Sequence, residues 1–286
     1  MTCAHYRSVA ALLCGVAAIT ISAAATAQQT AQAVTSMVQD AVRFQLEDMH
    51  HAGWSLRYQV HRVDSKEDSI RNVVESSDGN VARTLKHHGT WLSPEEDAAE
   101  LDRLRSLSPG DMARHRRSSD SSDKYGLELI TAMPAAMNFV LTPDQPQLPQ
   151  FRSRQVVLDY TPNPAFRPAS TVQSLLPGLA GRMWIDAETH HLLRIEVNVT
   201  KNLNLALGLL ARVYQGGTMT YEQQPLPNGH DAYTHIEINV MLRELMVKTL
   251  PYHSTLNATN IVLLPAVPSL QEAVQLLLNP ENVQRP

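Results

Sequence analysis

Between Trp54 and His61 apolar and polar side chains alternate without a break, Trp54, Leu56, Tyr58 and Val60 against Ser55, Arg57, Gln59 and His61. Successive side chains of a strand point to opposite faces, so this segment predicts a strand with one buried and one wet face. Residues 69–76 form a second strand, Asp78-Gly79 supplies the left-handed backbone of a hairpin, and Val81 and Leu85 return as a third strand. Val156, Leu158 and Tyr160 share one face of a strand that ends in Thr161-Pro-Asn-Pro164. The segments 182–186 and 191–199 are strands joined by a tight turn that Asp186 opens, and 218–224 and 233–248 are strands joined through Pro227-Asn228-Gly229. So many half-buried strands need a common antiparallel sheet and a separate cover for its apolar face.

The covers are legible as helices. From Thr30 to His51 the residues Val34, Met37, Val38, Ala41 and Val42 follow helical spacing, and Gly53 ends the run. Ser93-Pro94-Glu95-Glu96 is a capping box that starts a helix from Pro94 to about Leu107. Leu129, Ile130, Met133 and Met137 predict a helix over 127–140, bent at Pro134. A short helical piece falls at 172–179, and Ser269 caps an apolar helix through Leu278. Residues 108–124, where Arg114-His115-Arg116-Arg117 precedes a Ser/Asp run, read as a solvated loop. Pro143, Pro146 and Pro149 mark an extended connector, and the apolar stretch 208–217 reads as a helical insert. The expected fold class is α+β: one domain over residues 28–286, with a polar helical insertion around 90–150.

The N-terminus predicts export. Arg7, the apolar run Val9–Ala25 and the small-x-small site Ala25-Thr26-Ala27 have the order of a secretory signal peptide over residues 1–27. Both cysteines, Cys3 and Cys14, lie in that segment, so disulfides, thiolate metal sites and Cys nucleophiles are excluded from the rest. Removing it takes one of 24 basic residues and none of the 28 acidic ones, which leaves a net charge of −5. A mildly acidic chain is a poor general binder of nucleic acid or anionic membrane. No later stretch is apolar for long enough to span a bilayer, so an integral membrane protein is not expected. The expected location is the periplasm or the medium.

Chemistry-bearing motifs are absent. Twelve histidines include the adjacent pairs His50-His51, His87-His88 and His190-His191, but neighbours on a strand or helix diverge and rarely chelate one ion. His235 and Glu237 form the sole close His-carboxylate pair that a strand would place on one face. No metal site and no cofactor are expected. There is no G-x-S-x-G, S-x-x-K or Gly-rich phosphate loop, and Asp186 with Glu188 sits in a turn where Asp serves the backbone, so no catalytic residue is assigned.

Helix then strand through Trp54-Ser-Leu-Arg-Tyr58, and the hairpin Met183-Trp-Ile-Asp-Ala-Glu-Thr189 leading into Leu192-Leu-Arg-Ile-Glu196, resemble the periplasmic lipoprotein carriers of the LolA and LolB type. Tyr160-Thr-Pro-Asn-Pro164 and Gly181-Arg-Met-Trp-Ile-Asp186 are similar to segments of exported proteins of soil bacteria. The carrier resemblance implies a curved antiparallel sheet, a half-open barrel lidded by helices, and a hydrophobic ligand such as an acyl chain, a lipid or a lipidated protein. Trp54, Leu56, Tyr58, Val60 and Trp184 are then the expected cavity lining. Two alternatives stand beside it: an envelope interaction module with a filled core, and a periplasmic hydrolase. The signal predicts that the intact mass of exported protein begins at Gln28; a mass that retains Met1 to Ala27 contradicts it.

Overall fold

In the computed structural model, which describes residues 31–49, 53–205, 211–244 and 248–280, the alternating segments become strands of one antiparallel sheet. The chain opens with helix α1 over 31–49, followed by β1 (Leu56–Asp64), β2 (Asp68–Ser76), β3 (Gly79–His87) and β4 (Thr90–Trp91). Helices α2 (Pro94–Arg105) and α3 (Pro109–Ala136) lead to β5 (Met137–Leu141) and β6 (Gln155–Pro162). A 3-10 turn (Gln173–Gly178) precedes β7 (Leu179–Asp186), β8 (Leu192–Val199) and the short β9 (Leu203–Leu205) and β10 (Ala211–Val213). The chain then forms β11 (Thr218–Pro225), β12 (Asp231–Glu244), β13 (Lys248–Leu263) and helix α4 (Leu270–Leu278). The strand order β4-β3-β2-β1-β13-β12-β11-β8-β7-β6-β5 leaves the sheet open, with β10 on β12 and β9 on β10 as a side branch.

The registers define two faces. Leu158 lies opposite Met183, Met183 opposite Ile195, Ile195 opposite Tyr221, Tyr221 opposite Ile236 and Ile236 opposite Leu256; on the same face Ala258 meets Val60. Helix α1 lies on this face and seats Val34, Val38 and Ala41 on Leu158, Met183 and Ile185. On the other face Val157, Trp184 and Leu193 are covered by Leu148 and Phe151 of the proline-marked connector. Val74 and Val81 carry α4, Leu104 of α2 and Met112 from the start of α3. At its far end α3 packs Met133 and Ala136 with Tyr160, Leu176 and Phe139.

Four sequence expectations are corrected. The polar stretch 108–124 belongs to α3, because Ser108 accepts from the Asp111 backbone N–H, Asp111 returns the bond to the Ser108 N–H, and Pro109 occupies the first turn. A satisfied N-terminus lets a polar sequence propagate as helix until Pro134, and the helix ends two residues later, so Met137 starts β5 instead of closing the helix. In the apolar stretch 208–217, residues 211–213 are strand, paired with β9 and β12; residues 206–210 lie outside the described residues. The strand expected over 233–248 is β12, ending at Glu244, and a further sixteen-residue strand, β13, follows with no sequence expectation behind it. Pro251 hides it, since proline demotes a strand reading. It is tolerated because β1 pairs with β13 only from Ser254 onward, so Pro251 has one unpaired side.

Among the described glycines Gly181 marks the tightest approach: a Cβ there would stand 1.9 Å from the Glu196 carbonyl oxygen and 2.7 Å from the Tyr160 hydroxyl. Gly181→Ala is expected to cost about 3 kcal/mol or more, because backbone must move. Gly126→Ala in α3 would meet Met49 Cε at an ordinary 3.6 Å and should stabilise by about 0.5–1 kcal/mol. Urea unfolding of the two variants measures both; a tolerated Gly181→Ala contradicts the packing described.

Candidate functional site

Helix α1 is held down by polar side chains as well as apolar ones. Asp40 accepts from His190 Nδ1 at 2.8 Å, and His190 can reach it because the turn puts this residue at φ 61°. Asp48, in the last described turn of α1, lies where the helix dipole disfavours a carboxylate. It therefore needs donors, and it accepts from His230 Nδ1 at 2.7 Å and from the Asp231 backbone N–H at 3.1 Å. Burial raises the Asp48 pKa, against the lowering effect of His230. Asp231 accepts from His191 Nδ1 at 2.5 Å and from Gln223 Nε2 at 3.1 Å, while its other oxygen is buried with no hydrogen-bond partner. The hydrogen bond to Asp231 raises the His191 pKa. Phe44 of α1 stacks on His191 at 4.2 Å, and Trp54 stacks on His230 at 4.8 Å.

The expected cavity residues divide between the two faces. Trp54, Leu56 and Tyr58 share one buried cluster with Val73, Leu226, Ala232 and Ala258, and Val60 packs half-buried at its border. Tyr58 meets Tyr233 edge-on at 5.8 Å. Beside them Glu75 accepts from the Leu56 N–H, and burial pushes its carboxyl up to about 7. Trp184 is apart, on the opposite face, where its Nε1 donates to the Pro146 carbonyl at 2.8 Å and Arg194 lies over its ring.

What the alternation left unassigned is the middle of the α1 face. Ile195 and Val197 of β8, Met219 and Tyr221 of β11, Ile236 and Ile238 of β12 and Leu256 of β13 point to this side and are only half-buried. A helix about 10 Å wide covers roughly two strands spaced about 4.8 Å apart. Helix α1 places its apolar stripe on β6, β7 and the start of β8 and reaches β12 at Asp231, so most of the β11–β13 stretch of this face is left half-buried. Between α1 and α3 lies an open groove of about 700 Å³, lined by Val42, Leu46 and Pro134, with His230, Gln39, Arg43 and Glu47 alongside.

Among the described residues no three His, Cys, Asp or Glu side chains are grouped to hold a metal ion, and no helix is long and apolar enough to cross a membrane. Asp186 accepts from the Glu188 and Thr189 backbone N–H groups, a turn-building use of its carboxylate. His235 and Glu237 stand 3.8 Å apart. The aspartate pairings of His190, His230 and His191 had no signal in the sequence, because they join residues 150, 182 and 40 positions apart. Comparison with known proteins returns no matching family model, no matching curated protein and no matching solved structure. The functional reading therefore rests on this site.

Because His191 has its pKa raised in the folded state, its pairing with Asp231 contributes most below the unfolded value of 6.5 and is lost as pH rises through the folded value. Asp231→Asn is expected to cost about 1.5–3 kcal/mol at pH 5.5 and less at pH 9. Thermal melts at the two pH values decide it; an equal loss at both would mean that His191 stays neutral in the fold.

Proposed function

We propose that this chain is an exported cell-envelope protein that binds an acyl chain or a lipid on the α1 face of its sheet. On this reading the sheet acts as the curved, half-open barrel of the LolA-type carriers, with α1 and α3 as its lid. The observation that carries it is the half-buried apolar row Ile195, Val197, Met219, Ile236, Ile238 and Leu256 on the face that α1 lies on; a separate open groove of about 700 Å³ between α1 and α3 has the size of a small-molecule site. Apolar groups that a monomer leaves wet along one inner face are a standing cost, and an apolar guest removes it.

The magnitudes suit a carrier. Burying a 14-carbon chain is worth roughly 11 kcal/mol in gross terms at ~0.8 kcal/mol per methylene. Association and ordering cost at least ~4 kcal/mol, which leaves an affinity near the micromolar range, tight enough to hold and weak enough to release. Leu56 and Tyr58 are packed on all sides by Val73, Ala232 and Ala258, so they support the site's end wall and are poor places to test it.

Titration with a fluorescent fatty acid tests the reading. Saturable binding near micromolar is expected, reduced at least tenfold in Ile236→Glu and in Leu256→Glu, and unchanged in Glu237→Gln, whose side chain faces the other way. Circular dichroism checks that each variant is folded. Absence of binding by the wild-type chain at tens of micromolar sinks the reading and leaves the filled-core interaction module in its place.

A further inference from the structure

The far end of the sheet, where β9, β10, β12 and β13 run beyond the other strands, has two opposed surfaces. On one face the registers place Leu203, Val213, Leu242 and Leu250 in a single rung across four strands. The rung continues along β12 and β13 through Val240 opposite Tyr252 to Ile238 and then Ile236 opposite Leu256, so it runs directly into the half-buried apolar row. On the other face the matching rung is Asn204, Arg212, Arg243 and Thr249, with exposed Met241 next along β12.

Arg212 and Arg243 lie directly opposite each other on neighbouring strands. Like charges in that position repel, and sheets disfavour them. Tyr214 sits with them, its hydroxyl acidified first by a hydrogen bond from Thr249 and further by Arg243 and Arg212. Exposed Lys201 and Lys248 add two more cations at the same end. Over residues 201–214 and 241–251 the chain has these four basic residues against one acidic residue, Glu244, within a protein whose net charge is −4. A cationic end on an acidic protein is a local feature that overall charge hides.

We propose that this end docks on an anionic lipid bilayer, with the Arg212–Arg243 face at the level of the phosphate layer, Lys248 at the outer end of the apolar rung, and the Leu242–Leu250 rung turned to the acyl region. Cations at the headgroup level of an anionic leaflet and apolar side chains on the opposite face of the same element are the two components of interfacial binding. The geometry also names the source of the guest: a lipid taken from the bilayer would enter along Leu250, Tyr252 and Ile238 toward the apolar row. That entry route rests on the acyl-binding reading, whereas the docking itself stands on the charge and register of the tip.

Sedimentation of the mature chain with vesicles tests the docking. Vesicles of phosphatidylethanolamine with phosphatidylglycerol should retain it, pure phosphatidylcholine vesicles should not, and raised salt should release it. Neutralising two of the cations in Arg212→Gln with Arg243→Gln is expected to weaken binding about thirtyfold. Arg105→Gln, on exposed α2 at a site remote in the strand order, should leave it unchanged. No retention on anionic vesicles, or retention unaffected by the double variant in a protein with wild-type circular dichroism, overturns the proposal. Fatty-acid binding without vesicle retention would defeat docking alone, and vesicle retention without fatty-acid binding would defeat the acyl reading alone.

Discussion

The architecture depends on one ladder, the pairing of β1 with β13. The strands β1 to β4 form one meander and β5 to β8 with β11 to β13 form another, and this antiparallel contact is what makes them a single sheet. Its partners are as distant as Leu56 and Leu263, so the closure joins nearly the whole described chain. Loop entropy grows slowly with length, which makes such a contact affordable in stability though slow to form. Helix α3 braces the same junction: Met112 at its start packs with Val74 and Val81, and Met133 near its end packs with Tyr160 and Phe139. Its 28 residues span about 42 Å at about 1.5 Å each, enough to tie the two meanders together.

Helix α1 illustrates how polar contacts specify placement where apolar ones cannot. Val34, Val38 and Ala41 would tolerate sliding along an apolar face, but Asp40 and Asp48 meet His190 and His230 in one register only. Buried ionisable groups are a weak source of net stability, because desolvation offsets most of their attraction. Their effect here is positional. Glu75 shows that cost: although its carboxylate accepts a hydrogen bond from the Leu56 N–H, burial still pushes its carboxyl up to about 7.

Much of the fold was legible where one physical signal dominates. The alternation around Trp54 to Val60, the Asp186 turn and the Ser93 and Ser269 caps all became the elements they indicate, because period and capping are local. The polarity of segment 108–124 masks a capping box, and β13 leaves little signal because Pro251 interrupts it and its residues facing away from α1 are polar, among them Thr249, Thr255, Asn257 and Thr259. For the site, Leu56, Tyr58 and Trp54 do come together, yet the half-buried row on β8, β11, β12 and β13 did not stand out. Alternation says which side of a strand is apolar; how much of that side a helix covers is decided by widths and by partners that one segment cannot reveal. Trp184 fell on the other face for a related reason: it opposes Val157, one step out of phase with Leu158 and Met183.

The unclosed sheet has a further consequence at β5. Among the described residues this strand has a hydrogen-bonded neighbour only in β6, and its outer rim presents Val140 and Leu141 to solvent, with no Lys, Arg or Pro within Met137–Leu141. Natural edges are usually blunted by charge, proline or a bulge, because bare peptide groups recruit other strands. Here the guard lies just outside the strand, in Pro143 and the turn at Asp144 and Gln145, both in left-handed backbone. Heat or crowding that loosens this turn would lengthen the exposed edge, so that the route to irreversible clumping during overproduction would begin at β5, far from the pairing of β1 with β13 that holds the molecule together.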